Sequence, residues 1–369
     1  MADIRIEKLA EVLVDYSTAV KPGDKVVISG ETAAEPLLKA VYAKVLEAGG
    51  HPLLLASLPG TERLLYELGS DEQLSHVPDP VRMIVETYDV RISVGAEANT
   101  KSLSNVDPSR MVLRSRAQTD LMKTFMERSA SGAFRWVGTL FPTNAYAQDA
   151  EMSLSEYEDF VYGACMPDLD DPVGYWKQFS KWQQRIIDWL EGREHVHVVG
   201  PGTDLELSIA GRTFINSDGK HNMPSGEVFT GPVEDSATGH VTFSYPAIHQ
   251  GREVTGIRLA FEHGRVVEAS AEKNQTFLIQ TLDTDERSRY LGEFAIGTNE
   301  GITQFTSQIL FDEKINGSFH VAVGAGYPET GSQNESAIHW DMICDLREGG
   351  RIWVDDDLLY ENGKFVIDL

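Results

Sequence analysis

The residues best suited to chemistry gather in the second half of the chain. His339-Trp340-Asp341 sits in Ala337-Ile338-His339-Trp340-Asp341-Met342-Ile343, whose β-branched and apolar flanks predict a strand. On a strand, residues two apart share a face, so the imidazole and the carboxylate project together. Such a pair suits zinc, cobalt or manganese, although on its own it is also common as a structural hydrogen bond.

A second group runs from Phe311 to Tyr327. Asn316-Gly317 predicts a β-hairpin, with Glu313 across the turn, His320 opening an apolar returning strand, and Tyr327 just beyond the last glycine. The bland alternative makes these a solvated charge, a core histidine and a packed ring. Glu227, in Ser225-Gly226-Glu227-Val228-Phe229, and Glu293, in Leu291-Gly292-Glu293-Phe294, share an oddity: each follows a glycine and precedes apolar residues. A carboxylate therefore falls where the pattern turns inward. Two divalent cations roughly 3.5–4 Å apart need a bridging carboxylate, with further carboxylates and imidazoles completing each coordination sphere. The residues named are about that many.

The elements that must carry these side chains divide into two textures. In the first half, helical spacing in Ile6, Leu9, Val12, Leu13 and Tyr16 precedes the strand-like Lys25–Ser29. A helical stretch over 33–48 stops at Gly49-Gly50 before the strand-like 52–56. Strand-like 90–94, helical 108–126 and strand-like 134–140 continue the alternation, and helical stretches over 154–165 and 173–190 close it, separated by Pro167, Asp168, Asp170, Asp171 and Pro172. This alternation predicts a doubly wound, largely parallel α/β sheet over residues 1–190. Short alternating segments with Gly and Asn turns then predict a β-rich α+β domain over 191–369 that carries the metal-competent residues. At 369 residues, two domains are the natural expectation.

Composition removes several functions. With 57 acidic against 32 basic residues the formal charge is −25, which repels polyphosphate and argues against a nucleic-acid partner. Cys165 and Cys344 cannot build a disulfide framework. The start, Met1 to Glu7, lacks the pattern of a signal peptide, and no run of about 18 apolar residues occurs. The expectation is a cytoplasmic protein with no membrane association. There is no Walker A loop, no Gly-x-Ser-x-Gly elbow and no His-Glu-x-x-His. Gly30-Glu31-Thr32-Ala33-Ala34 after the first strand holds one glycine, too few to cradle a dinucleotide.

Taken jointly and in order, Met223–Thr230, Leu291-Gly292-Glu293, Asp312-Glu313-Lys314, Asn334–Asp341 and Tyr360–Phe365 resemble the thermophilic metallo-aminopeptidases of the M29, or aminopeptidase T, family over essentially the whole chain. The resemblance implies that Glu227, Glu293, His320, His339 and Asp341 are metal ligands, with Glu293 the bridge. It makes Glu313 a further ligand or the catalytic base, and Tyr327 the catalytic tyrosine. It also implies two divalent ions per chain (zinc, cobalt, manganese or magnesium), a homodimer, and hydrolysis of the N-terminal bond of peptides with a free amine by a metal-bridged hydroxide. A free ammonium would need a carboxylate, for which Glu335 and Asp345 are the candidates. The alternatives on the same residues are a dipeptidase or amidase, and a non-catalytic solute-binding protein.

Overall fold

The computed structural model describes residues 3–166 and 168–369, so Met1, Ala2 and Pro167, which entered the readings above, lie outside the described residues. The chain divides into two compact units, Met1–Trp176 with Gly219–Pro224, and Lys177–Asp218 with Ser225–Leu369.

The first unit contains strands β1 (Lys25–Glu31), β2 (His51–Ser57), β3 (Val90–Gly95) and β4 (Arg135–Leu140). Helices α1 (Ile4–Glu11), α2 (Glu35–Glu47), α3 (Thr61–Leu68), α4 (Asp71–Ser75), α5 (Asp79–Thr87), α6 (Pro108–Ala117), α7 (Thr119–Ala130), α8 (Asn144–Asp149) and α9 (Leu154–Cys165) interleave with and follow them. With a short strand from the returning segment, Asn222–Met223, the sheet is wholly parallel, and its order reverses between β1 and β3. This is the predicted doubly wound arrangement. Its central strands are buried through Val26, Val27, Ile28, Val90, Ile92 and Val137, the near-continuous apolar runs that a parallel sheet requires.

Two readings need correction here. The helix predicted over 108–126 is two helices, broken at Gln118, because its halves pack on different neighbours, α6 on α4 and α7 on α5. Residues 61–87, for which no element was predicted, form α3, α4 and α5.

The second unit begins in α10 (Pro172–Leu190), whose first residues belong to the first unit, and is otherwise mostly antiparallel. Its strands, numbered on from β4 with Asn222–Met223 as β8, are β5 (His195–Gly200), β6 (Thr203–Ser208), β7 (Ile215–Ser217), β9 (Glu227–Thr230), β10 (Thr238–Thr242), β11 (Ala247–His249), β12 (Arg252–Val254), β13 (Arg258–Glu262) and β14 (Arg265–Ser270). Then come α11 (Gln275–Leu282), β15 (Leu291–Gly297), α12 (Ile309–Asp312), β16 (Ser318–Gly324), β17 (His339–Asp345), β18 (Arg351–Val354), β19 (Asp357–Glu361) and β20 (Lys364–Phe365). An eight-stranded sheet runs β14-β13-β10-β6-β5-β18-β19-β20, a five-stranded sheet runs β17-β16-β15-β9-β7, and β11 pairs with β12. One apolar core takes side chains from both large sheets, among them Val198, Leu205, Leu259 and Ile352 from the first and Phe294, Val321, Trp340 and Met342 from the second.

The predicted hairpin at Asn316-Gly317 is also corrected. Asn316-Gly317 leads from α12, not from a strand, into β16, and among the described residues β16 pairs with β15 and β17 alone. Gly317 at φ +95° supplies the sharp turn that the Asn-Gly signal promised, but the turn joins a helix to a strand. Among the described residues, no helix is long and apolar enough to cross a membrane.

Candidate metal centre

Alternation in the five-stranded sheet sorts its side chains onto two faces. Phe319, Val321 and Val323 of β16, Phe294 and Ile296 of β15, Trp340 and Met342 of β17, and Val228 of β9 enter the apolar core. The intervening residues face the other way. These are His320, Ala322 and Gly324; Glu293, Ala295 and Gly297; His339 and Asp341; and Glu227. Register then sets who meets whom. Glu293 and Asp341 both pair with Ala322, His339 with Gly324, His320 with Ala295, and Glu227 with Gly297. Each polar side chain stands beside an alanine or glycine, so its neighbours leave it space.

The glycines before the two glutamates have a physical reason. Gly292 makes the bulge between Leu291 and Glu293, and a Cβ there would come within 2.2 Å of the Ala325 carbonyl oxygen. The extra residue lets Leu291 stay with the core while Glu293 turns to the polar face. Gly226 sits at φ +125°, and a side chain there would press on Asn299 at 2.8 Å.

The result is two groups of ligand atoms that share one residue: Glu227, Glu293 and His320 form one, and Glu293, His339 and Asp341 the other. His320 Nε2 lies 3.4 Å from Glu293 Oε1 and 3.5 Å from Glu227 Oε2. His339 Nε2 lies 3.5 Å from Glu293 Oε2 and 3.4 Å from Asp341 Oδ1. Glu293 thus turns one oxygen to each imidazole. His339 Nδ1 contacts the Ala325 carbonyl oxygen at 2.7 Å, and donation there leaves the Nε2 lone pair directed at the carboxylates, the orientation seen in metal-ligating histidines.

The donor set also passes a test for divalent cations. Glu227 Oε2 and both ring nitrogens of His320 are buried and make no hydrogen bond. Buried polar atoms are rarely left so, and buried carboxylates rarely unneutralised. Burial lifts Glu227, Glu293 and Glu313 above the ordinary carboxylate range. Burial opposes a charge on the imidazoles, yet the carboxylates beside them, Glu293 foremost for His320 and Asp341 for His339, raise these to about 9 and about 10. Asp341 is held below its usual value against its burial, chiefly by His339. Burial thus disfavours charge on the three glutamates, and the carboxylates favour protons on the imidazoles; bound divalent cations would supply positive charge at the same atoms.

Lys314 was missed by the sequence reading. It is 0% exposed, contacts the Glu313 carboxylate and lies 3.7 Å from Glu227 Oε1. Glu313 and Glu227 keep it charged against its burial. The signal was present as Lys314 between Asp312-Glu313 and the apolar Ile315, but a lysine beside two acids reads as a surface residue. Glu313 is therefore tied to an ammonium and belongs to neither ligand group. Tyr327 packs its ring 5.5 Å from Phe229 and 5.3 Å from His339, centroid to centroid. Burial, then Glu293 and Asp341, raise its phenol well above the usual value, so it stays a neutral donor.

Glu335 and Asp345 do not join the cluster: Glu335 is exposed, and Asp345 is held by Arg347 at 2.5 Å. At the strand ends of the first unit's sheet, burial and then Glu62 raise the carboxyl of Glu31, and burial and then Glu31 and Glu62 raise that of Glu97, a setting unfavourable to phosphate.

The chain is similar to known proteins along nearly its whole length. Residues 2–365 match the family described as thermophilic metalloprotease (M29). Aminopeptidase 2 of Geobacillus stearothermophilus is 26% identical, covering 92% of this chain and 91% of its own. Aminopeptidase T of Thermus thermophilus is 26% identical, covering 97% and 95%. Among solved structures, wild-type AmpT from Thermus thermophilus superposes with a TM-score of 0.86 at 23% identity over 98% of this chain and 99% of that one, which shows the fold. A 2,5-dihydroxypyridine dioxygenase from Pseudomonas putida shares the fold more distantly, with a TM-score of 0.58 at 14% identity over 98% and 97% of the two chains.

Proposed function

This chain belongs to the M29 family of thermophilic metalloproteases, and from that premise we propose that it is a two-metal aminopeptidase. The observation that carries the reading is Glu293, whose two oxygens face two different imidazoles. Glu227, Glu293 and His320 would hold one divalent cation, and Glu293, His339 and Asp341 the other. Their imidazole and carboxylate donors suit zinc, cobalt or manganese, with magnesium the harder alternative. Bound there, the cations supply Lewis acidity toward the scissile carbonyl and lower the pKa of water toward neutrality.

The remaining work falls to this chain's own side chains, all within residues 191–369. Glu313 acts as the base: it takes the proton of the attacking water and returns it to the leaving amine. Its tie to Lys314, and its place outside both ligand groups, favour that role over ligation. Tyr327, a neutral phenol partly open to solvent at 37% exposure, donates a hydrogen bond to the developing oxyanion. The relatives named aminopeptidases, 26% identical over most of their length, support removal of N-terminal residues from peptides with a free amine. The working unit is taken to be a homodimer, for which light scattering should return twice the chain mass.

Elemental analysis paired with release of free amino acid from alanyl and leucyl peptides tests this reading. Close to two metals per chain, reversible loss of activity on chelation, and no cleavage of N-acetylated peptides are expected. Cleavage of the blocked peptides would make the protein an amidase, and a metal-free, inactive protein across zinc, cobalt, manganese and magnesium would defeat the reading outright.

A further inference from the structure

We propose that a recess whose apolar lining includes Ile248, Phe305, Ile309 and Ile343, and whose polar lining includes Asp312 and Asp341, receives the side chain of the substrate's N-terminal residue and restricts it to small apolar groups such as the alanyl methyl. This deepens the aminopeptidase reading and rests on it.

Position comes first. Asp341 and Ile343 lie on the same face of β17, and Ile343 pairs in register with His320. The apolar floor of the recess therefore continues the row that bears the ligand atoms. In a peptide the first Cβ is only two bonds from the scissile carbonyl carbon, so a recess for that side chain has to adjoin the carboxylates that gather at the reaction. This one does.

Size comes second. The free volume of the recess is about 20 Å³. A cavity of that order holds about one water-sized group. A methyl fits within it, whereas an isobutyl or benzyl group must displace a wall or project past the open rim.

The walls are braced against displacement. The Phe305 ring stacks on Tyr245 with centroids 5.2 Å apart and planes 6° from parallel. The Tyr245 hydroxyl donates to Asp345 Oδ2 at 3.1 Å and accepts from Arg347 Nη2 at 2.6 Å. Asp345, a candidate for the ammonium in the sequence reading, is thus a positioning residue that steadies Phe305 through Tyr245. On the other side, Thr306 donates its backbone N–H and hydroxyl to Asp312 Oδ1 at 2.7 and 2.8 Å, pinning the segment between Phe305 and Ile309. Ile309 stands at the rim, 47% exposed, and can be trimmed without opening the core.

The test compares metal-loaded wild type, Ile309→Ala and Phe305→Ala by kcat/KM on alanyl and phenylalanyl p-nitroanilides, and by calorimetric binding of the products L-alanine and L-phenylalanine. Wild type should favour the alanyl substrate by about tenfold or more, and Ile309→Ala should raise the phenylalanyl-to-alanyl ratio by about tenfold, mainly through KM, with product binding shifting the same way. Tyr245→Phe should raise that ratio about two- to threefold, a change that mere loss of stability would not produce. If wild type prefers phenylalanyl, or if both trimmed variants keep the wild-type ratio, the recess assignment is overturned while the aminopeptidase reading stands. Release of no amino acid from either substrate by a metal-loaded wild type would overturn both.

Discussion

Two gatherings of acidic side chains among the described residues differ in whether water reaches their charge. In the first unit, Glu31, Glu62, Glu97 and Asp149 repel one another across the strand ends, with Lys101 3.8 Å from Asp149. Glu62 and Glu97 are exposed, so water carries their charge. In the second unit, Glu227 and Glu293 are each 5% exposed, and Glu227 and His320 keep atoms with no hydrogen bond. Both groups of described residues able to hold a metal ion lie there. In a chain with 57 acidic residues, the number of carboxylates identifies nothing; burial without partners does.

Substitutions can break this contrast, and the largest effect is expected from Glu293→Gln. Removing the shared carboxylate should deplete both metals by elemental analysis and lower kcat/KM by on the order of 10³-fold or more. Retention of both metals would mean that the two groups do not depend on one bridge. Tyr327→Phe comes next, expected to lower kcat by about 10²–10³-fold with metal content intact. Metal loss in that variant would make the ring structural.

Chelation should act on stability as well. A cation present at about a thousandfold above its Kd contributes about 4 kcal/mol to the folded state, so calorimetry should show a clear fall in Tm when it is removed. The chelated protein should also become less stable as pH rises. Folding raises the proton affinity of Asp312 from 3.8 to about 7 through burial, and that of His320 and His339 from 6.5 to about 9 and about 10 through their carboxylates against burial. Their contribution is complete below the lower values and lost above the higher ones. Asp341, held low, acts oppositely, its contribution disappearing only on acidification. Melts of the chelated protein from about pH 6 to about pH 10 should show a falling Tm, and a rising Tm would contradict the electrostatics of the cluster. The smallest effect is reserved for the first unit: Glu31→Gln and Glu97→Gln should leave metal content unaltered and shift stability by no more than about 0.5 kcal/mol.

Much of the polar face was legible because strand alternation is a strict rule. His339 and Asp341 had to share a face, and the glycine before each of Glu227 and Glu293 marked a place where a carboxylate turned inward. The doubly wound sheet was legible for the same reason, its buried strands reading as apolar runs between helices. The misreadings were of a different kind. Asn316-Gly317 specifies a turn but not what precedes it, so a helix-to-strand turn passed for a hairpin. Residues 108–126 kept a helical period through Gln118, and only packing on two different helices divides them.

By itself, then, the amino-acid order determined which side chains could serve as ligands and which local conformations would present them, since both follow from residue type and short-range geometry. Three successive strand pairings, β9 with β15, β15 with β16 and β16 with β17, gather residues that span the 114 positions from Glu227 to Asp341 and decided that they meet. The same folding decided that Lys314 joins the acids rather than the solvent, that Asp345 meets Tyr245 and Arg347, and that one oxygen of Glu293 faces each imidazole. Burial and distance set charge, proton affinity and ligand sharing, and neither exists until chain segments far apart in sequence pack together.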